Sequence, residues 1–184
     1  MGRIGIGQKI KGKRPGFQLQ RISAGGKKVY DGTEKKMIKV PARELILEMT
    51  SEEATEITLK LLTPLRLKFE NQLQAKLPFH LLIRAALRRI ALLNRHFGEG
   101  EPDLDYKGLV AKASNIKIKQ SNLHWFDWKR YSNRQEQSML MGGMVGEITY
   151  QGELQEFIPL IHYAEEVHLG KATTFGLGQI QVII

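Results

Sequence analysis

A short segment near the end of the chain, "HLGKATTFGLG", holds residue types that can grip a phosphodiester. It contains three glycines, Gly170, Gly176 and Gly178, with Lys171 between them and His168 in front. Backbone amides exposed in a glycine-lined bend can donate to phosphate oxygens, and Lys171 adds a cationic donor. The local pattern also fits a plain turn, in which Gly170 ends a helix and the other two glycines form a strand bulge.

Two histidines and a lysine supply the groups that metal-free RNA cleavage requires. Such cleavage needs a base for a 2′-hydroxyl, an acid for the leaving 5′-oxygen and a cation near the crowded phosphate. His168 and Lys171 fit these roles across the glycine segment, and His124 borders a second segment of interest. These three residues are the candidate catalytic groups, against the alternative that each histidine is structural.

The second segment, residues 124–135, reads "HWFDWKRYSNRQ" and mixes aromatic with basic side chains. Aromatic faces stack on unpaired bases, and lysine and arginine bind phosphates, so the mixture favours single-stranded RNA recognition. The candidate RNA-binding residues here are Trp128, Lys129, Arg130, Tyr131 and Arg134. Alternation predicts that one of the two tryptophans, Trp125 or Trp128, is buried in the core.

Neither a metal site nor a cofactor site is expected. The chain has no cysteine, and its five histidines show no H-E-x-x-H or comparable ligand spacing. The glycine segment is not a P-loop, because Lys171 precedes Gly176 and the segment follows a helix. It is not a dinucleotide fingerprint either, since those glycines open a helix on a parallel sheet.

Positive charge is concentrated at the start of the chain. Eleven of the 28 lysines and arginines lie in residues 1–40, which contain only two acidic residues. Lys11, Lys13 and Arg14 are the candidate RNA contacts in this segment, since segregated positive charge suits a polyanion. A solubilising tail is the alternative. The longest apolar run contains Arg84, Arg88 and Arg89, so no membrane partner is expected, and the lack of cysteine fits a cytoplasmic location.

The periodicities from residue 56 onward predict an α+β fold. A strand over 56–69, broken at Pro64, precedes a helix that begins at Pro78 and ends near Gly98. Because proline cannot donate to the ladder, Pro64 is expected at a sheet edge or a bulge. Residues 99–108 read as a polar loop, and two strands, a second helix and a final strand follow. This βαββαβ order is the ferredoxin-like arrangement, an antiparallel sheet with helices on one face. Arg84, Arg88 and Arg95 form a basic stripe on the first helix.

The segment before this unit predicts a β-hairpin. "FQLQRI" alternates, "SAGG" turns and "KKVY" returns. The segment contains too few apolar residues to form a core alone, so it either flanks the next domain or belongs to a domain whose beginning is missing. The second interpretation is favoured.

The glycine segment resembles the C-terminal glycine-rich loop of the RAMP superfamily, G-h-G-x5-G-h-G, with His168 at the first glycine position. With "WFDWKRYSNRQ", "GGMVGEITYQGEL" and "FIPLI", residues 55–184 are similar to the C-terminal part of the CRISPR-associated endoribonucleases that process precursor CRISPR RNA. The resemblance implies two RRM-like (ferredoxin-like) domains and metal-free cleavage that leaves a 2′,3′-cyclic phosphate. It implies that Gly170, Gly176, Gly178 and Lys171 grip the RNA.

The same resemblance sets the expected domains and partners. Residues 1–45 would be a remnant of a first ferredoxin-like domain, and residues 55–184 the second, with its glycine-rich loop at 168–178. The family's catalytic histidine lies on the first helix of the first domain, and no position here matches it. The partner would be precursor CRISPR RNA repeats. Two alternatives stay open, a non-catalytic RAMP subunit that holds guide RNA beside other CRISPR effector subunits, and a basic module that binds an acidic protein.

Overall fold

The computed structural model describes residues 18–24, 26–39, 45, 47, 54–69, 72–132 and 136–184. These residues fall into two compact units, which divide between residues 44 and 45. The first unit holds a three-stranded sheet, and the second holds the helices and the remaining strands.

The described part of the first unit is an antiparallel sheet of β1 (Arg21–Ala24), β2 (Lys27–Asp31) and β3 (Lys36–Met37). Its first two strands form the predicted hairpin, which is confirmed. In the turn after β2, Asp31 pairs with the Lys28 ammonium and accepts a hydrogen bond from the Thr33 amide at 2.9 Å. The bond from Lys28, followed by the backbone donors, lowers the pKa of Asp31 to about 2. The carboxylate therefore stays charged at neutral pH and holds the turn.

The described part of the second unit combines strands with three α-helices. Its strands are β4 (Glu56–Leu65), β5 (Lys117–Ser121), β6 (His124–Phe126), β7 (Lys129–Ser132), β8 (Gln137–Leu140), β9 (Gly143–Gln151) and β10 (Ile180–Ile183). Its helices are α1 (Phe79–Phe97), α2 (Tyr106–Ala113) and α3 (Ile158–Val167). Among the described residues, β7 and β8 pair with each other and with no other strand, as a hairpin inserted before β9.

The main sheet has the strand order of a ferredoxin-like fold. β4 lies between β10 and β9, and both β5 and β6 pair with the other edge of β9. All of these pairs are antiparallel, and α1 and α3 are the two connecting helices. The expected α+β, ferredoxin-like fold is confirmed.

The core lies between one face of the sheet and the helices. Ile57, Leu59 and Leu61 on β4 are buried, whereas Thr58 and Lys60 between them are not. This alternation follows from the period of two in a strand, and it directs the apolar side chains toward α1 and α3.

Three aromatic rings form the centre of that core. Phe79 lies edge-on to Tyr150 and to Phe157, with ring centroids 4.9 and 5.1 Å apart. The Tyr150 hydroxyl donates to the Leu77 carbonyl oxygen at 2.7 Å, and burial raises the pKa of Tyr150 above its ordinary value. The phenol therefore remains a neutral donor that joins β9 to the start of α1.

Pro64 lies in the central strand, at a break in its pairing. The register between β4 and β9 shifts between Leu61 and Leu65, so of the two places expected for Pro64, a sheet edge or a bulge, the structure has the bulge. Proline has no amide hydrogen to donate, but its carbonyl oxygen accepts a bond from the Gly178 amide at 3.1 Å. The bulge therefore fixes the end of β4 to the glycine segment.

Two predictions about element bounds are wrong. The strand predicted to reach Phe69 ends at Leu65, and Phe69 instead exchanges two backbone hydrogen bonds with Gln72. The predicted polar loop contains the start of α2, which Asp105 caps by accepting from the Gly108 amide at 2.9 Å. None of the helices in the described ranges is long and apolar enough to cross a membrane.

Candidate nucleic-acid interface

One end of the main sheet gathers the two segments predicted to bind RNA. β4 ends there and β9 begins there, with Leu65 paired to Met144. The β7–β8 hairpin enters β9 at this end, and the glycine segment enters β10, where Ile180 pairs with Leu61. The fold therefore places the described residues of the hairpin region, 124–132 and 136–140, beside residues 168–178.

Two of the three glycines are required by contacts inside the protein. A Cβ on Gly178 would lie 1.8 Å from the Leu169 carbonyl oxygen, and one on Gly170 would lie 2.7 Å from the Arg66 carbonyl oxygen. The Leu169 amide donates to the Gly178 carbonyl oxygen at 2.8 Å, which closes the loop. By contrast, a Cβ on Gly176 would meet no atom within 4 Å, so this is the glycine that leaves room for a ligand.

Thr63 fixes the far side of the loop to β4. Its hydroxyl donates to the Gly176 carbonyl oxygen at 3.0 Å and accepts from the Gln179 amide at 2.9 Å. The Thr63 hydroxyl therefore uses both its hydrogen, as a donor, and its oxygen, as an acceptor, to hold the loop in place.

His168 adopts a backbone conformation that favours glycine. Its φ of 59° and ψ of 156° lie where a Cβ is strained, which explains why the related motif has glycine at this position. Its Nδ1 donates to the Leu177 carbonyl oxygen at 3.2 Å, across the loop. In a neutral imidazole this bond leaves Nε2 as an unprotonated acceptor.

The strain at His168 gives a stability prediction. His168→Gly removes both the strain and the hydrogen bond, whereas His168→Ala removes only the bond. We expect the glycine variant to be more stable than the alanine variant by about 1–2 kcal/mol, because alanine retains a left-handed φ. Urea unfolding of the two variants measures the difference, and an alanine variant as stable as the glycine variant would contradict the strained conformation.

The β7–β8 hairpin is tied to the glycine loop from two sides. Arg66 Nη1 donates to the carbonyl oxygens of Leu140 and Gly142 at 2.9 and 3.0 Å, at the exit of the hairpin. The Arg66 carbonyl oxygen in turn accepts from the Lys171 amide at 3.2 Å. Arg66 therefore links the two segments through its backbone and its side chain.

A cation–π contact makes the second link. The Arg130 guanidinium lies 4.5 Å from the centroid of the Phe175 ring, and both side chains are exposed. Successive side chains of a strand alternate, so Lys129 and Tyr131 lie on the opposite face of β7 from Arg130. The hairpin thus has one face toward the glycine loop and another carrying an exposed tyrosine.

The two tryptophans differ in environment, but neither is buried in the core, so the prediction that one of them is buried is wrong. Trp125 is half-buried against the core, and its Nε1 donates to Asp127 Oδ1 at 3.0 Å. Trp128 is exposed at the base of the hairpin, where its carbonyl oxygen accepts from the Met141 amide at 2.8 Å. Of the pair, Trp128 is the one whose ring is accessible to a base.

The other candidate catalytic groups are both exposed. His124 lies on β6, with Nδ1 3.4 Å from the Asn122 carbonyl oxygen, and Lys171 follows Gly170 in the loop. Lys11, Lys13, Arg14 and Arg134, which were also predicted to bind RNA, lie outside the described residues. Within the described ranges, no cluster of three or more histidine, aspartate or glutamate side chains could hold a metal ion.

A basic cleft of about 620 Å³ opens next to the glycine loop. Its lining comes from α1, the chain beyond β4, and the loop, namely Arg66, Leu67, Lys68, Leu81, Arg84, Ala85, Arg88, Arg89, Leu92, Gly170 and Lys171. Sequence reasoning identified the arginine stripe on α1 but did not connect it with the loop. Arg66 and Lys68 were missed because their place depends on β4 ending at Leu65.

Comparisons with known proteins agree with this fold. No curated protein matches the sequence. Among solved structures, Thermus thermophilus Cas6 is 14% identical with a TM-score of 0.55, over 72% of this chain and 55% of that one. A Cas6 product complex is 14% identical with a TM-score of 0.53, over 71% of this chain and 52% of that one. The partial Cas6-RT-Cas1–Cas2 complex is 17% identical with a TM-score of 0.51, over 72% of this chain and 23% of that one.

This chain spans about half the length of the first two Cas6 structures, so part of each of those proteins has no counterpart in the match. At such low identity these likenesses show the fold. The sequence profile of the CRISPR-associated endoribonuclease Cas6 family matches residues 59–180, which is more than half of the chain. The chain therefore belongs to the CRISPR-associated endoribonuclease Cas6 family.

Proposed function

We propose that this chain binds precursor CRISPR RNA and cleaves it within the repeats by attack of a 2′-hydroxyl, without a metal ion. The observation that carries the proposal is the joining of the glycine loop and the aromatic hairpin into one surface by Arg66 and by the Arg130–Phe175 contact. Gly176, Lys171, Trp128 and Tyr131 face solvent on these segments. Phosphate oxygens would meet the loop and unpaired bases would stack on the hairpin.

The catalytic candidates remain His168, Lys171 and His124. The hydrogen bond from His168 Nδ1 supports a general base at Nε2, since it fixes the tautomer. Lys171, three residues away, would supply positive charge near the phosphate. Residues 1–45 are proposed to belong to a first ferredoxin-like domain and residues 55–184 to form the second, in keeping with the length of the related structures.

Cleavage of a repeat RNA in EDTA tests the proposal. The RNA carries the repeat of the CRISPR array from the same genome, and the expected product is a shorter RNA that ends in a 2′,3′-cyclic phosphate. His168→Gly is the variant of choice, because it removes the imidazole without adding backbone strain. His124→Ala tests the second histidine in the same way.

Each outcome of these experiments supports or excludes a catalytic residue or a function. If both histidine variants cleave at the wild-type rate, these histidines are not catalytic. Tight, salt-sensitive binding with no product would overturn cleavage and favour a non-catalytic subunit of a CRISPR effector complex. Equal binding of heparin and repeat RNA would overturn both and favour a basic protein-interaction module.

A further inference from the structure

The cations of the basic cleft divide into two groups by what they bind. Arg89 donates from Nε and Nη2 to the Val167 carbonyl oxygen at 3.2 and 3.1 Å, and Arg66 donates to the β8–β9 connection. These two arginines therefore shape the walls of the cleft. They hold the end of α3 and the exit of the hairpin in place.

The remaining cations are free to meet a ligand. Lys68, Arg84, Arg88 and Lys171 are exposed, and none makes a hydrogen bond or ion pair through its side chain with the residues that the structure describes. No carboxylate from those residues lines the cleft. Four cations without a partner among the described residues surround one cleft and produce a positive potential that attracts a polyanion.

The spacing of the cations suits a chain of phosphates better than one phosphate. Arg84 and Arg88 are one turn apart on the same face of α1, which separates them by about 6 Å along the helix axis. Lys68 and Lys171 lie on the other walls, on the chain beyond β4 and in the loop. A single inorganic phosphate would reach only part of this set.

Apart from its cations, the cleft offers little with which to read bases. Leu67, Leu81, Ala85 and Leu92 make up the rest of its side-chain lining, and these side chains have no hydrogen-bonding groups. Base identity is read through hydrogen bonds to base edges and through aromatic stacking, whereas backbone contacts carry no sequence information. The lining therefore predicts that the cleft binds RNA without dependence on the RNA sequence.

Two lysines on the outer face of the sheet, by contrast, are paired with glutamates. Lys60 lies 3.2 Å from Glu147, and Lys119 pairs with Glu56. The hydroxyls of Thr58 and Thr149 are hydrogen-bonded to each other at 2.9 Å. A phosphate chain would have to displace these partners there, so the helix-side cleft is the more favourable surface.

We infer that the cleft between α1, the chain beyond β4 and the glycine loop binds the sugar–phosphate backbone of one RNA strand, with Arg84 and Arg88 contacting successive phosphates. This inference rests on the proposed function, since it assigns a second site to the same RNA. The cleft supplies affinity that is independent of sequence, while the exposed aromatic residues of the hairpin supply contacts to bases. The strand leaves the glycine loop along α1.

The salt dependence of RNA binding by Arg84→Gln/Arg88→Gln tests the inference. Binding constants are measured for the repeat RNA and for a scrambled RNA of the same length, between about 50 and 200 mM salt. Each lost phosphate contact lowers the slope of log K against log salt by about 0.7–0.9, so the double variant is expected to lose about 1.5. Affinity should fall by the same factor for both RNAs.

Two controls isolate the cleft. Arg95→Gln removes an exposed arginine of the same helix stripe that does not line the cleft, and it should leave the slope unchanged. Arg84→Lys/Arg88→Lys keeps the charge and should keep most of the slope. A thermal melt of each variant checks that the fold is intact, as expected for exposed side chains without described partners.

Three results would overturn the inference. A wild-type slope in the double glutamine variant would place the RNA elsewhere, and a loss confined to the repeat RNA would mean that the cleft reads sequence. In both cases cleavage of the repeat by wild-type protein would leave the proposed function standing. If the wild-type protein binds no RNA, the proposed function and the inference fail together.

Discussion

Gly178→Ala is expected to lower the free energy of unfolding of residues 45–184 by about 3 kcal/mol or more. The new Cβ would lie 1.8 Å from the Leu169 carbonyl oxygen, and this oxygen is backbone, so no side-chain rotation relieves the overlap. The φ of 76° adds the strain of a left-handed residue. A decrease in melting temperature of about 10 °C would accompany a loss of this size.

Gly176→Ala is the matched control. Gly176 has almost the same φ, 79°, but a Cβ there would meet no atom within 4 Å. Only the conformational term remains, and it costs about 1 kcal/mol. Urea denaturation of the two variants separates the overlap from the φ effect, and equal losses would mean that Gly178 does not contact Leu169 as described. Since Gly176→Ala stays folded, it also tests whether RNA approaches this glycine.

Trp128→Ala/Tyr131→Ala is expected to weaken binding of the repeat RNA about 100-fold, if unpaired bases stack on the hairpin as proposed. Loss of a stacking ring costs about 1–3 kcal/mol per base, and 1.4 kcal/mol is tenfold in affinity. Both rings are exposed, Tyr131 at 58% and Trp128 at 38%, so the folded state loses little packing. Fluorescence anisotropy with labelled RNA measures the change.

The single variants Trp128→Ala and Tyr131→Ala identify the face of the hairpin that meets the RNA. Tyr131 lies on the face opposite Arg130, whereas Arg130 and Phe175 form the side toward the glycine loop. Phe97→Ala is the control, because Phe97 is an exposed aromatic residue at the other end of α1. A Phe97 variant that loses as much affinity as the double variant would mean that the effect is not specific to the hairpin.

The hairpin and cleft predictions differ in their dependence on salt. Stacking changes affinity with little effect on the salt slope, whereas loss of a phosphate contact lowers the slope. The hairpin variant should therefore keep the wild-type slope, and the Arg84 and Arg88 variant should not. This difference separates contacts to bases from contacts to the backbone.

The roles of the glycines depend on distances that the sequence does not contain. The pattern "HLGKATTFGLG" fits both a turn and a close approach to phosphate, because each requires residues without a Cβ. The neighbours of each glycine separate these possibilities. Gly178 and Gly170 are adjacent to the backbone of Leu169 and Arg66, and Gly176 is open.

The sequence by itself determined the order of the ferredoxin-like strands and helices, because alternation and helical spacing record which side chains are buried. It predicted the hairpin of the first unit, the break in β4 at Pro64, and a helix bounded by Pro78 and Gly98, which is α1. It did not predict α2, whose start depends on a single capping carboxylate, Asp105, within a polar segment. Local pattern is informative where an element has a long apolar face, and less so where it does not.

Only the tertiary structure decided which of these residues lie together. Arg84 and Arg88 are about eighty residues from Lys171 in the chain, and no local pattern relates them. They share one cleft because β4 ends at Leu65, so that α1 and the glycine loop meet at the same end of the sheet. Side-chain burial follows from local periodicity, but the assembly of a site from distant segments follows from how the strands pair and where they end.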